Sequence, residues 1–498
     1  MQDPKLTYGE GGRLKSPPDP LLIDSAYKHD NSYAKYLMRH LHEVDLAYVL
    51  MLLKQDIIPQ EEGTILLKQL SEVRDVPLED FINPNLGDIY NSKESYLNKN
   101  VGKIAGWMHI GRPRREAINT AFNLCVREKL ILFISELLNL GECMLEKARL
   151  EKDSIMPDFT YLYQATPTSF GHYLLTFFFP ILRDLERLFL SLSDINECPL
   201  GCGISNGSNL NLDRKYLSDL LCFDKPIAHA RDGMWRADTP IQIMSCLSIC
   251  FSNLSRLAEE LEIFNSVEFS MIELPDSLCR TSVIMPQKKN PYPLTYIRGM
   301  SNFLLGKLVA SNSYGKVFSG NPDSRIFAYV DIPESLDRST EAIRLFSKVI
   351  KTIELNHKNI KNNLGKGYSY ASDLSEYITT KFKVDYKTAH EIVGSLIRKL
   401  VSQEITDLNS THLVNEIKEK SDLEIKISEK EFQNIIDPNE IIKKRITLGS
   451  AAPQIVDKMI DEQIVIMNEY SEKLRRLKSK IDQSRMNDIV EKKLNSKK

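Results

Sequence analysis

One segment of the chain concentrates residue types suited to proton transfer on a small anion. Thr281-Ser282-Val283-Ile284-Met285-Pro286-Gln287-Lys288-Lys289-Asn290-Pro291 carries a serine hydroxyl, two adjacent ammonium groups and an amide, punctuated by two prolines. Ser282 can act as nucleophile or base, with Lys288 or Lys289 balancing the negative charge that develops. The prolines suggest an ordered but mobile loop, and on residue types alone a plain surface loop is the better reading. Cys246 with Cys250, and Cys198 with Cys202, are spaced four apart, which is not a usual zinc spacing. The first pair falls on an apolar stripe, where cysteine behaves as a small hydrophobe. The second lies in PLGCGISNG without a nearby histidine. Gly9, Gly11 and Gly12 follow no strand, so no phosphate-cradling loop is expected there. Neither a metal nor a cofactor is called for.

The elements that must hold such a loop are legible from proline placement. Of 22 prolines, none lies between Pro113 and Pro157 and none between Pro333 and Pro438. Proline costs about 3 kcal/mol inside a helix, so these windows can house long ones. Val126, Leu130, Phe133, Leu137 and Leu140 recur at steps of four and three, as do Ile243, Cys246, Cys250, Leu254, Leu257 and Leu261. These are helical stripes, and alternating strand patterns are scarce. The chain reads as mainly α, in three regions. Residues 1–110 are an N-terminal, mostly helical region, 111–360 a long-helix region carrying the loop, and 361–498 a smaller helical region with a frayed tail.

Bulk composition narrows the partners. The 498 residues hold 65 Lys+Arg against 67 Asp+Glu, a net charge of −2. Bulk attraction to nucleic acid or anionic membrane is therefore excluded. The best membrane-span candidate, Tyr173 to Leu182, contains Pro180 and runs into Arg183 and Asp184, and it falls short of the ~20 apolar residues a span needs. The first residues, MQDPKLTYGEGGRLKSPPD, lack a signal-peptide core. With eight cysteines spread along the chain, the expectation is a cytoplasmic protein with reduced thiols.

SVIMPQKKNP strongly resembles the mobile catalytic loop of the fumarase/aspartase superfamily, and its QKKNP form is most similar to argininosuccinate lyase. The resemblance extends to MHIGRPRRE, TYLYQATPTSFGH, PLGCG and LSRLAEELEIFNSVEFSMIELPD. Near the C-terminus it continues through YASDLSEYITTK, KTAHEIVG and DPNEIIKKRITLGSAAPQ, in order and over nearly the whole chain.

The resemblance implies a three-domain, largely helical subunit whose long central helices build a homotetramer. Each active site would draw on three subunits and act on a small dicarboxylate. The implied reaction is reversible β-elimination that releases fumarate from a succinyl group. By motif position Ser282 is the base. Lys288 and Asn290 are loop residues that hold a substrate carboxylate, and Arg114 and Thr160 are further carboxylate contacts. Tyr161 stands where the family has the histidine assigned to proton transfer, and with a reference pKa near 10 it is a different acid. Arg115 replaces an asparagine and adds a charge to the binding set. Pro113, Thr281 and Val283 are further departures. His109 and His172 sit in matching motifs but read more simply as structural histidines. His229 and Trp235 mark a wall where small or acidic residues are replaced.

The amine side departs more. Aligning Arg39-His40-Leu41-His42-Glu43-Val44-Asp45 with the family places Ala34 and Met38 at its substrate-binding Ser and Asp. FSGNPDSRIFAYVD replaces a second substrate-binding segment. Three readings follow: a fumarate-releasing carbon–nitrogen lyase with an altered amine partner, a genuine argininosuccinate lyase, or a catalytically silent tetramer.

Overall fold

The computed structural model describes residues 16–316, 326–364, 366–402, 405, 408–421 and 423–495. Most of them are helical, as the stripes require, and the strands form only two-stranded sheets. Helix α1 spans Ala34–Lys54 and α2 Ile89–Val101. Helix α3, Arg114–Leu150, has 37 residues. Pro113, extended at φ −73° and ψ 151°, starts it, as expected of a residue that cannot join the ladder from within.

The chain then turns through the antiparallel hairpin β1 (Ile155–Thr160) and β2 (Tyr163–Ser169) into α4, Phe170–Ile195. Ser169 caps α4 by accepting the His172 N–H at 3.1 Å. Pro180 sits inside α4 without ending it. Burial of Phe177, Phe178 and Ile181 around it holds the helix against the lost hydrogen bond.

Helix α5 is Asp238–Phe264, followed by β3 (Ile272–Glu273), β4 (Arg280–Thr281) and β5 (Lys289–Asn290). Helices α6 (Tyr292–Tyr314) and α7 (Ala328–Thr352) and strand β6 (Glu354–Leu355) come next. Beyond them lie α8 (Ala371–Phe382), α9 (Tyr386–Val401) and α10 (Pro453–Asp482). The last helix, Met486–Asn495, buries Met486 and Val490.

The body is a bundle in which α3 packs on α1, α4, α7 and α10, while α5 packs on α4 and α6. Every stripe residue of α3 and α5 named above is buried, each contributing about 1.5–3 kcal/mol relative to exposure. By length and composition α5 is apolar enough to cross a membrane. Its apolar stripe is instead spent on α4 and α6 inside the bundle. One large core runs from Tyr33 to Ile360 and takes in α10 and the last helix; a separate small core joins Leu374 to Ile435. Leu132, Leu190, Ile249, Leu305 and Val309 on the long helices remain exposed.

Candidate active site

The start of α3 is fixed by buried charge. Arg112 pairs with Asp45 at 2.7 Å, and Lys93 holds the other oxygen of the same carboxylate at 2.5 Å, all three side chains being sealed from solvent. Burial opposes ionisation of Asp45, but Lys93 and Arg112 outweigh it and hold its carboxyl below the usual range. The Arg112 guanidinium also lies over the Tyr48 ring, 4.7 Å from its centroid. Four residues on, Glu116 accepts the Gly201 N–H of the PLGCG turn and is completely buried. Burial pushes its pKa up to about 8, with the Gly201 hydrogen bond and Arg112 pulling the other way. The GRPRRE and PLGCG motifs therefore meet through one carboxyl group.

Arg114 and Arg115 follow on the first turn of α3. Arg114 pairs with Asp88 at 3.3 Å, and Asp88 in turn caps α2 by accepting the Asn91 N–H at 3.0 Å. Asp30, on the short helix Lys28–Ser32, lies within electrostatic reach of both arginines. Burial raises its pKa to about 6 against the pull of Arg115. Neither Asp30 nor Asp88 was picked out from the sequence. Asp88 carried a faint signal as a helix-capping residue before an amphipathic run; Asp30 carried none.

Thr160 and Tyr161 stand at the tip of the β1–β2 hairpin. Tyr161 and Leu162 take positive φ of 55° and 58°, the geometry of a two-residue hairpin turn that glycine or asparagine usually occupies. Tyr161 is fully exposed as a result. The hairpin is anchored by Phe159, whose ring packs on Phe264 at 5.7 Å and Phe269 at 5.5 Å. Gln164 donates to the Asn363 carbonyl at 2.7 Å, and a cavity of about 520 Å³ opens between β2 and helices α8 and α9. His172 bridges Thr168 and the Gly449 carbonyl, both at 3.0 Å. Arg445 grips Asp373 with hydrogen bonds of 2.9 and 3.0 Å, joining two C-terminal motifs.

The loop containing Ser282 is itself the end of a hairpin. Arg280 pairs with Asn290 and Thr281 with Lys289 at its base, and Arg280 lies over the Tyr292 ring at 3.7 Å. The two lysines divide. Lys289 is held by Asp276 and Glu273, each at 2.8 Å, and those hydrogen bonds raise its pKa. Lys288 is exposed, with no ion pair among the described residues, and is the cation the loop can offer. The Ser282 hydroxyl accepts the Met285 N–H at 3.1 Å, so the loop folds back on itself. Val283 and Ile284 project into solvent at 103% and 83% exposure.

These groups occupy two ends of the subunit. At 1.5 Å per residue α3 is about 55 Å long, with Arg114 at its start and the hairpin beyond its end. Six residues of β1 can retrace only about 20 Å. Phe159 packs on Phe264 at the end of α5, and Thr295 and Arg298, just beyond the Ser282 loop, donate to Glu262 near that same end, so Thr160 and the base of the loop share the far end. Arg114 and Arg115 cannot reach either within one subunit.

The remaining candidates from the sequence are held by neighbours in their own chain. His109 is held between the Tyr90 hydroxyl at 2.9 Å and Glu94 at 3.1 Å. His229 caps the short helix Ala230–Trp235, and the Arg231 guanidinium covers Trp235 at 5.1 Å. All eight cysteines are free thiols and seven are buried. Among the described residues no group of three or more His, Cys, Asp or Glu could hold a metal. The glycines at 9, 11 and 12, and most of FSGNPDSRIFAYVD, lie outside the described residues.

The lyase family profile matches residues 21–306. The argininosuccinate lyase of Methanococcus maripaludis strain C6 is 31% identical over 445 residues, covering 88% of this chain and 89% of its own. That of Caldanaerobacter subterraneus subsp. tengcongensis is 30% identical over 450 residues, covering 88% and 98%. Among solved structures, EDDS lyase in complex with formate superposes with a TM-score of 0.85 at 24% identity, covering 97% of each chain. Class II fumarase from Schistosoma mansoni superposes at 0.70 and 15% identity, covering 86% of this chain and 99% of its own. Motifs, bundle and relatives agree: the chain belongs to the fumarase/aspartase superfamily of lyases, in its argininosuccinate lyase-like branch.

Proposed function

We propose that this protein is a fumarate-releasing carbon–nitrogen lyase that acts on an N-succinyl substrate whose amine partner is not arginine. Ser282, as alkoxide, removes the Cβ proton of the succinyl group, and the electron pair is held on the neighbouring carboxylate. The C–N bond then breaks as the C=C bond forms, and the nitrogen leaves with its electron pair and gains a proton from Tyr161. Lys288, Asn290, Thr160, Arg114 and Arg115 bind the carboxylates. Serine is a poor base in water; loop closure with Val283 and Ile284 as an apolar cover would exclude water and strengthen the Lys288 charge beside it.

Assembly as a homotetramer with shared sites is part of the same proposal. It is supported by the length of α3, which keeps Arg114 from Thr160 and Ser282 within one chain, and by the exposed Leu132, Leu190, Ile249, Leu305 and Val309 on the bundle helices. A cytoplasmic setting fits the free thiols.

The observation that carries the altered-amine reading is the contrast between two halves of the site. The fumarate-side set Ser282, Lys288, Asn290, Arg114 and Thr160 is retained, while Ala34 and Met38 present no polar group on the amine side. A genuine argininosuccinate lyase is the second reading, favoured by relatives of that name at 31% identity. The test is fumarate with a panel of amines, read by mass spectrometry for the adduct, with Ser282→Ala as control. Adducts that depend on Ser282 support the proposal. No adduct from any amine, and none of the reverse reaction with argininosuccinate, would leave the silent tetramer.

A further inference from the structure

A cavity of about 760 Å³ opens where the large core and the small core meet. Leu364 on its wall packs on the large core, and Ile436 opposite packs on the small one. Ile155 adds to the apolar lining. Asp153, His357, Lys361 and Asp437 face the same space. Asp153 belongs to the turn between α3 and β1, and Lys361 to the short helix His357–Leu364. Asp437 caps the helix Pro438–Lys443, its Oδ1 accepting the Asn439 N–H at 2.9 Å. Asp153 and Lys361 make no ion pair or hydrogen bond among the described residues, with each other or with any other group.

Opposite charges that face one cavity without closing on each other suit a ligand that carries both signs. The volume lies in the range of about 300–1,000 Å³ that encloses a small molecule, and such sites favour the joints between folded units. Ser282, Lys288, Arg114, Thr160 and Tyr161 do not line the cavity. We propose that it binds an α-amino acid as its zwitterion. Lys361 receives the carboxylate, and Asp153 with Asp437 receives the ammonium group. A large apolar side chain lies between Ile155, Leu364 and Ile436. The ligand is held and not consumed. It ties the small core to the turn that leads into β1, the strand that ends at Thr160.

The test is calorimetric titration of the full-length protein, without fumarate, with four probes: L-tryptophan, indole-3-propionate, tryptamine and glycine. Indole-3-propionate lacks the ammonium group, tryptamine lacks the carboxylate, and glycine lacks the apolar body. L-Tryptophan is expected to saturate one site per chain and to raise the melting temperature. Each of the other three should bind at least about threefold more weakly, the scale of one partly solvated charge pair. Lys361→Gln should weaken L-tryptophan and indole-3-propionate severalfold and leave tryptamine within about twofold. Asp153→Asn should weaken L-tryptophan and tryptamine and spare indole-3-propionate. The two variants stand on different elements, so either decides the matter if the other fails to fold. No saturable binding of L-tryptophan at millimolar concentration overturns the proposal. So does equal binding of all three indoles, or L-tryptophan binding that neither variant alters, since the ligand would then sit elsewhere. Each of these outcomes leaves the lyase reading standing.

Discussion

Arg114 opens a 37-residue helix, and Thr160 stands at the tip of the hairpin that follows its far end. A rigid element of about 55 Å thus separates two groups assigned to the same substrate. If both serve one catalytic event, they must come from different copies of the chain.

Mixing of inactive subunits tests this relationship. Arg114→Ala and Ser282→Ala should each be inactive alone. Co-expressed as mixed tetramers, they should recover roughly a quarter of wild-type activity, because random assembly leaves some sites with neither lesion. Gel filtration confirms the oligomer in each sample. Recovery of nothing from well-formed mixed tetramers would place all the groups in one subunit.

Ser282→Ala should lower kcat by about 10²–10⁴-fold, the range for losing a general base. Tyr161→Phe should lower it by about 10²-fold if the phenol donates the proton to the leaving nitrogen. Both side chains stand on exposed turns, so the melting temperature should not move. An unchanged kcat for Tyr161→Phe would mean that the ring only fills space.

Asp45→Asn should destabilise the fold by about 3–5 kcal/mol, because it strands the buried charges of Arg112 and Lys93. Urea unfolding measures the loss. A change below about 1 kcal/mol would show that the pair is not sealed from water as described.

Glu116 sets a pH dependence of stability. Burial pushes its pKa up to about 8 from the ordinary 4.5 of a glutamate, so the folded state holds a proton that the unfolded state releases. Stability from this group is full below about pH 4.5 and declines as pH rises towards 8, by at most about 1.4 kcal/mol per unit. Glu116→Gln, which mimics the protonated carboxyl, should be near neutral at pH 5 and stabilising at pH 8. Denaturant midpoints across that range decide it; parallel curves for the two proteins would contradict the assignment.

The legible part of this molecule was the part governed by local period and local chemistry. The stripes on α3 and α5 were readable because each residue's burial follows from its place on the turn. The Ser282 loop was readable because its residues are contiguous. Long-range pairings were not. That Lys289 is tied to Glu273 and Asp276 while Lys288 has no ion pair among the described residues depends on hairpin register and a neighbouring turn. The approach of Asp30 and Asp88 to the arginines depends on how three helices meet. The hairpin turn at Tyr161 gave no glycine or asparagine to betray its positive φ.

The measurement that bears most directly on the altered-amine account is the rate of fumarate release from argininosuccinate, followed by ultraviolet absorbance with the purified protein. With Ala34 and Met38 in place of polar contacts, and each unpaired buried polar group costing about 1–3 kcal/mol, the account predicts a kcat/KM orders of magnitude below the ordinary range of 10⁴–10⁸ M⁻¹s⁻¹. Turnover within that range, abolished by Ser282→Ala, would contradict it and identify arginine as the amine.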